Sequence, residues 1–239
     1  MEWWQELFTA PLWQRVQLAW EDADDADEDA ERVVRALRLG ASSRVLDVPC
    51  GTGRISKRLR ADGHHVIGID ATERFLLEAT AAGVVTIRAD MRTTVVRPAS
   101  FDAACCLWGS FGYFDDVGNR AQARAMADAL VSGGRCLIDT LAADTVLPAF
   151  EPRAAWEVGG VHVQESRRYD EDAKRIETTW TFRRGDEHAQ HVTSVRLHTL
   201  TELTDLLAGA GFASFQALDA ELQPFGNAST RLWLVATRR

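Results

Sequence analysis

The stretch that most limits what this chain can fold into is VLDVPCGTGR, Val45 to Arg54. Apolar residues alternate into Asp47, then Pro49 and Cys50 lead into Gly51 and Gly53. This pattern predicts a strand that ends in a tight turn and opens a helix, a turn that offers backbone N–H groups to a ligand.

Four later segments repeat the strand pattern. HHVIGID (His64 to Asp70), VVTIRAD (Val84 to Asp90), FDAACCLW (Phe101 to Trp108) and RCLIDTL (Arg135 to Leu141) read as strands. Helical patterns lie between them, over Arg54 to Ala61, ATERFLLEATAAG and Asn119 to Leu130. Strand four is nearly all apolar, as a parallel strand covered by helices on both faces requires. Strands and helices alternating across short loops argue for an α/β fold with a doubly wound, Rossmann-like sheet.

The pattern changes near Leu147. From Ala154 to His198 polar and apolar residues alternate in VHVQESRRYD, RIETTWTFRR and HVTSVRLHT, with turn signals between them. Period-two alternation predicts an antiparallel β meander, expected to pack over the mouth of the α/β part. A helix, LTELTDLLAGAG, with Thr201 as its cap, and two strands, ASFQALD and RLWLVATRR, come last. The chain therefore divides into an N-terminal helical cap (1–40), a Rossmann-like core (41–150), an antiparallel β insertion (151–198) and a C-terminal helix and strand pair completing the core sheet (199–239).

Before the core come four of the eight tryptophans, Trp3, Trp4, Trp13 and Trp20. Pro11 is suited to start a helix, PLWQRVQLAW, and a second helix is expected over Asp27 to Leu39. The aromatic density suits core packing, with a dimer contact or a lid as the other readings. The acidic run EDADDADEDAER (Glu21 to Arg32) reads as a solvated helix start.

Composition narrows the partners. There are 27 basic against 35 acidic residues, a net charge of −8, which repels a phosphate backbone. No run of about 18 apolar residues is present, nor a basic start with an apolar core, so no membrane span or signal peptide is expected and the chain reads as cytoplasmic. Cys50, Cys105, Cys106 and Cys136 form no CxxC pair and are expected as free buried thiols. His188 and His191, with Asp186 and Glu187, are expected in a turn as surface residues, and no metal is called for.

Three ligands compete for the glycine loop. A P-loop needs GxxxxGK[ST], which GTGRISK does not supply. A dinucleotide fingerprint needs GxGxxG or GxGxxA, but Ser56 stands at the third position, and Asp47 would repel a pyrophosphate. A cationic ligand reverses that argument. S-adenosylmethionine carries an ammonium, a sulfonium and a ribose with two free hydroxyls. Asp47 suits the methionine end, Asp70 the ribose, and Asp90 the adenine amino group, with Gly51 and Gly53 letting backbone approach closely.

The chain resembles the class I S-adenosylmethionine-dependent methyltransferases, in particular a small bacterial group with LDxxCGxGR after strand one and a SFGYF-like segment after strand four. Here these stand as VLDVPCGTGR and LWGSFGYF, with ADMR, DALVSGGRCLIDT and SVRLHTLTEL beside them. The resemblance implies a seven-stranded sheet ordered 3-2-1-4-5-7-6 with strand seven antiparallel. It implies that Asp47, Gly51 and Gly53 hold the methionine part, Asp70 the ribose, and Asp90 with Met91 the adenine. Leu107 and Trp108 would line the cofactor near its methyl, and S-adenosylhomocysteine would be the product. Two positions depart from the group: Cys106, where Asn is frequent, and His198, where Tyr is.

Methyl transfer is an in-line displacement that needs alignment and dryness, which suits an aromatic wall of Trp108, Phe111, Tyr113 and Phe114. Phe111 and Phe114 equally suit core positions. His198 is the candidate base, since histidine titrates near neutrality, and Tyr113 the second catalytic candidate. Ser110, Phe111 and Arg196 are the substrate-side candidates. The expected partner is a small-molecule acceptor of a methyl on N, O or C, with the chain as a monomer or homodimer. The other readings are a tRNA or protein-side-chain methyltransferase, and a cofactor-binding module without turnover.

Overall fold

The computed structural model describes residues 2–23, 26–93 and 95–239 of the chain; Asp24 and Asp25, within the acidic run, lie outside the described residues. The chain divides into two units, one of Met1–Asp25 with Leu147–Leu197, the other of Ala26–Val146 with His198–Arg239.

The larger unit is built on a seven-stranded sheet. Its strands are β1 (Arg44–Asp47), β2 (His65–Asp70), β3 (Val85–Arg88), β4 (Phe101–Cys106), β5 (Leu130–Thr140), β10 (Phe212–Leu218) and β11 (Leu232–Arg238). Their order is β10-β11-β5-β4-β1-β2-β3. The five strands β1 to β5 pair in parallel, for example Leu46 beside Ile67 and Ala104, whereas β11 runs antiparallel to both β5 and β10. This is the order, and the reversed strand, that the resemblance implies.

Helices α3 (Ala26–Leu37), α4 (Arg54–Ala61), α5 (Glu73–Ala81), α6 (Asp116–Ala129), α7 (Ala143–Val146) and α8 (Leu200–Ala210) complete the unit. Strand β4 shows why its sequence is apolar throughout. Ala104 and Cys106 enter a core cluster with Ala123 and Met126 of α6 and Leu203 of α8. Ala103 and Cys105 point the other way, into a cluster with Val33 and Leu37 of α3 and Leu59 of α4. Strand β5 splits likewise, Ile138 to the first cluster and Leu137 to the second. Burying each large apolar side chain of these clusters stabilises the fold by about 1.5–3 kcal/mol.

Local sequence sets most helix ends. Asp115 caps α6 by accepting from Gly118 N–H at 2.7 Å. The cap of α8 is Thr199, not the expected Thr201. Thr199 Oγ1 accepts from Glu202 N–H while the Glu202 carboxylate accepts from Thr199 N–H, both at 3.1 Å. That reciprocal capping box satisfies two helix-end donors at once. The helix expected over Asp27 to Leu39 ends at Leu37, because Arg38 turns to φ 50°.

The smaller unit is a four-stranded antiparallel sheet, β6 (Arg153–Val158), β7 (Val161–Asp170), β8 (Arg175–Arg184) and β9 (Glu187–Arg196), with helices α1 (Trp3–Thr9) and α2 (Pro11–Ala23). Its core joins Leu7, Leu12 and Val16 of the helices to Val161, Val163 and Phe182 of the sheet. Trp13 meets Trp180 and Phe182 edge-on at 5.6 and 6.0 Å, so the N-terminal aromatics serve packing within this unit. The unit boundary falls inside the 1–40 stretch: α1 and α2 go with the meander, α3 with the larger unit. His188 and His191 lie on strand β9 rather than in a turn. His188 is exposed and the His191 ring packs 6.3 Å from Phe182.

Candidate active site

Three carboxylates stand at the C-terminal ends of three neighbouring parallel strands: Asp47 ends β1, Asp70 ends β2, and Asp90 comes just after β3. In open α/β sheets this end of the strands is where ligands bind.

Asp47 is 3% exposed. Ser56, in the first turn of α4, donates its hydroxyl to Asp47 Oδ2 at 2.6 Å, and the Cys105 thiol lies 3.5 Å from Oδ1. Burial raises the Asp47 carboxyl to about 6, against the lowering by Ser56 and Cys105, with nearby Asp70 adding to the rise. Ser56 therefore has a positive role. At the third position of the glycine pattern it supplies the hydroxyl that holds a buried acid.

The two loop glycines do different work. Gly53 caps α4 at φ +78°, and a Cβ on it would fall 2.9 Å from Ala79 Cβ. It is needed for close packing against α5. Gly51, at φ +54°, has nothing within 4 Å of where a Cβ would stand, so the space over it is open to a ligand. Cys50 is wedged against Gly68 of β2, whose added Cβ would lie 2.7 Å from the Cys50 sulfur. Burial, with Asp47 and Asp70 nearby, pushes that thiol far above its ordinary range, which keeps it protonated.

Asp70 ties the loop to strand β2: Oδ2 accepts from Gly51 N–H at 3.0 Å and Oδ1 from Thr72 N–H at 2.8 Å. Burial raises its carboxyl, and these two backbone donors oppose the rise. Asp90 is more open and is gripped by Arg92, whose Nη2 lies 2.6 Å from Oδ2; that bond holds its carboxyl below the usual range. The Arg92 guanidinium lies 4.2 Å from the Phe114 ring centre. Met91 beside it receives the Gln122 amide at 3.3 Å from its sulfur.

Beyond β4 the chain turns sharply. Leu107 is buried, while Trp108 is 44% exposed and its backbone sits at φ 60°. A non-glycine residue in that region costs on the order of 1–2 kcal/mol. Trp108 N–H donates to Asp139 Oδ2 at 2.9 Å, Gly109 N–H to the Asp139 carbonyl at 3.1 Å, and Arg231 Nε to Asp139 Oδ1 at 2.7 Å. On the ring, the Arg54 guanidinium lies 4.6 Å from the centroid; its Nη2 also pairs with Asp29 at 2.6 Å.

Ser110 is buried and its side chain hydrogen-bonds to Tyr113, whose phenol burial raises beyond its ordinary range. Tyr113 thus keeps its proton and acts as a hydrogen-bonding group. Phe111, 1% exposed, and Phe114 are core residues. Phe111 lies 5.8 Å from the His198 ring, also buried, whose carbonyl accepts from Ala143 N–H at 2.8 Å. Cys106 faces the core under α6, its sulfur 3.4 Å from Gln122 Nε2. Arg196 belongs to the smaller unit, where its guanidinium donates to the Lys174 carbonyl at 3.4 Å. No group of three or more metal-ligating side chains occurs among the described residues.

The larger unit thus brings together Asp47, Gly51, Gly53 and Asp70 around one loop, with Asp90 and Met91 after the next strand. Sequence reasoning overlooked Ser56, Arg54, Asp139 and Arg231. Of these, only Ser56 and Arg54 carried a local signal, being fixed in spacing to the glycines.

Residues 45–134 match a family described as a methyltransferase domain. The malonyl-[acyl-carrier protein] O-methyltransferase of Erwinia pyrifoliae is 31% identical over 129 residues, 53% of this chain; the match spans about half of that protein's length (47%). Among solved structures, an S-adenosylmethionine-dependent methyltransferase from Clostridium acetobutylicum superposes with a TM-score of 0.77 at 15% identity, covering 90% of this chain and 92% of the other. A sugar N-methyltransferase from a Streptoalloteichus species superposes with a TM-score of 0.67 at 25% identity, covering 91% and 89%. The fold is that of the class I methyltransferases.

Proposed function

From a chain that carries a methyltransferase domain on the class I fold, we propose an enzyme that binds S-adenosylmethionine and moves its methyl to a small-molecule acceptor. One observation carries the reading: Asp47, Asp70 and Asp90 stand at the ends of neighbouring strands around a glycine loop whose Gly51 faces open space. A buried acid at Asp47 fits a cationic ligand and opposes a diphosphate.

S-adenosylmethionine, when bound, supplies a methyl group on a sulfonium. In this reading Asp47 and the loop backbone at Gly51 and Gly53 hold the methionine end. Asp70 accepts from the ribose hydroxyls, its carboxylate already oriented by Gly51 and Thr72. Asp90 and Met91 border the adenine, while Leu107 and Trp108 line the side nearest the methyl. Since charge disperses in the displacement, these residues act by aligning and excluding water. Where the acceptor is protonated, His198 takes the proton, with Ser110 and Tyr113 as hydrogen-bonding partners of the acceptor. Phe111 then acts from the core by backing the His198 ring.

A metabolite is preferred to tRNA or protein. The net charge is acidic, and two arginines of the meander are already neutralised, Arg167 by Glu165 and Arg168 by Glu177, both at 2.6 Å. No helix among the described residues is long and apolar enough to cross a membrane, and we place the enzyme in the cytoplasm as a monomer or homodimer. Similar proteins are named for O- and for N-methylation, so the acceptor atom is a matter for the acceptor pocket.

Calorimetric titration with S-adenosylmethionine and S-adenosylhomocysteine, on wild type and Asp70→Ala, tests the reading. Micromolar binding weakened at least tenfold by the substitution, about 1.4 kcal/mol, is expected. A folded wild type that binds neither compound sinks it. Binding without methyl release to any metabolite acceptor favours a module without turnover.

A further inference from the structure

Trp108 holds a conformation that its own sequence does not favour. It is a bulky residue at φ 60°, at the end of the strand beside the glycine loop, and it stays 44% exposed. A backbone of this kind persists only where its surroundings over-determine it. Here the surroundings centre on one residue. Asp139, 4% exposed at the end of β5, accepts Trp108 N–H with one carboxylate oxygen and Arg231 Nε with the other, and its own carbonyl accepts Gly109 N–H. Arg231 lies just before β11, whose Trp233 pairs with Asp139 across the sheet. Strand β11 therefore brings in the cation that lets a carboxylate stay buried at this point.

We propose that Asp139, backed by Arg231, is a positioning residue. It fixes the left-handed backbone of Trp108 and, through it, the place of the indole ring beside the cofactor. The effect on affinity rests on the cofactor reading above; the effect on Trp108 does not. Arg54, stacked on the ring and anchored to Asp29, holds the side chain as Asp139 holds the backbone.

Asp139→Asn is the informative change. It keeps size and shape but leaves one carbonyl oxygen where two carboxylate oxygens served Trp108 and Arg231, so one donor is abandoned. Glycine adopts positive φ without help, so Trp108→Gly removes both the ring and the need for the clamp. Binding of S-adenosylhomocysteine is measured for wild type, each single variant and the double variant. Asp139→Asn is expected to weaken binding tenfold or more with Trp108 present, and less than twofold in the Trp108→Gly background. Equal losses in the two backgrounds overturn the proposal, since a general structural role for Asp139 would act in both.

Hydrogen exchange in the ligand-free protein separates the clamp from the cofactor reading. Exchange at the Trp108 amide is expected to be at least tenfold faster in Asp139→Asn, with β4 and β1 unchanged; unaltered exchange overturns the clamp. If wild type fails to bind the nucleoside, the cofactor reading and the affinity effect fall together, and exchange alone decides the clamp. Should Asp139→Asn fold poorly, Arg231→Met tests the same link by removing the buried acid's cation. Binding weakened threefold or more, again only with Trp108 present, supports the proposal, and a loss independent of Trp108 overturns it.

Discussion

Ser56 Oγ lies 2.6 Å from Asp47 Oδ2, so a hydroxyl on the first turn of α4 holds the buried acid that ends β1. The pair places a titrating group beneath the glycine loop. Asp47 has a folded pKa of about 6 against an ordinary 3.8. Its buried charge therefore makes the free protein less stable as pH rises from about 4 to about 6, the reverse of an acid held in a salt bridge.

A cationic ligand needs Asp47 ionised. Affinity for S-adenosylmethionine is expected to fall as pH drops below about 6, and binding near pH 5.5, roughly at this raised value, to release protons that binding near pH 8 does not. Titration calorimetry in buffers of different ionisation enthalpy reads this directly. Asp47→Asn is expected to flatten the profile; an unchanged profile in that variant assigns the pH dependence elsewhere.

Gly51 and Gly53 are expected to separate binding from stability. Gly51→Ala carries the left-handed backbone cost of about 1 kcal/mol and narrows the open space, so it should weaken the nucleoside more than the fold. Gly53→Ala adds overpacking against Ala79, on the order of 1–3 kcal/mol more. Denaturant unfolding of both variants checks this, and equal destabilisation would mean that the packing contrast is wrong.

All four cysteines are buried and free, and burial pushes their thiols above the ordinary range. Alkylating reagent at about pH 8 is expected to modify the native protein no faster than it unfolds, and all four sites promptly in denaturant. Rapid native labelling of Cys50 would show that the glycine loop opens by itself.

Helix α8 supplies a further test. Thr199→Ala removes the capping hydroxyl and is expected to cost about 1 kcal/mol, while exposed Thr201→Ala stays within about 0.5 kcal/mol. Thermal melts of the two variants discriminate; the opposite ranking would return the cap to Thr201.

Much of the fold was legible because periodicity is local. The helix from Arg54 to Ala61 begins and ends where the glycines and the apolar spacing put it, and the acids at 47, 70 and 90 fall at strand ends as the alternation implies. The Thr199 cap went unread because Thr201 also precedes an apolar run, and only the reciprocal Glu202 bond tells them apart. The short helix α1 lacks enough turns to show a period. At the candidate site, Asp139 was visible as strand but not as a clamp. Its partner Arg231, at the start of the last strand pattern, lies 92 residues further along the chain and meets it only because β11 pairs with β5. Nothing in LWGSFGYF marks Trp108 as left-handed, since glycine, the usual signal, stands one residue later.

The strand order also sets a timetable for synthesis. Strand β11 lies between β5 and β10 although it is translated after both. Until residue 232 emerges from the ribosome, β5 presents an unsatisfied edge from Arg135 to Thr140, apolar around Leu137 and Ile138. Such an edge invites pairing with another nascent chain. A stalled or truncated product ending before Leu232 would carry the β1 to β3 half of the sheet largely formed together with an adhesive seam, and would be lost to aggregation or to chaperone capture.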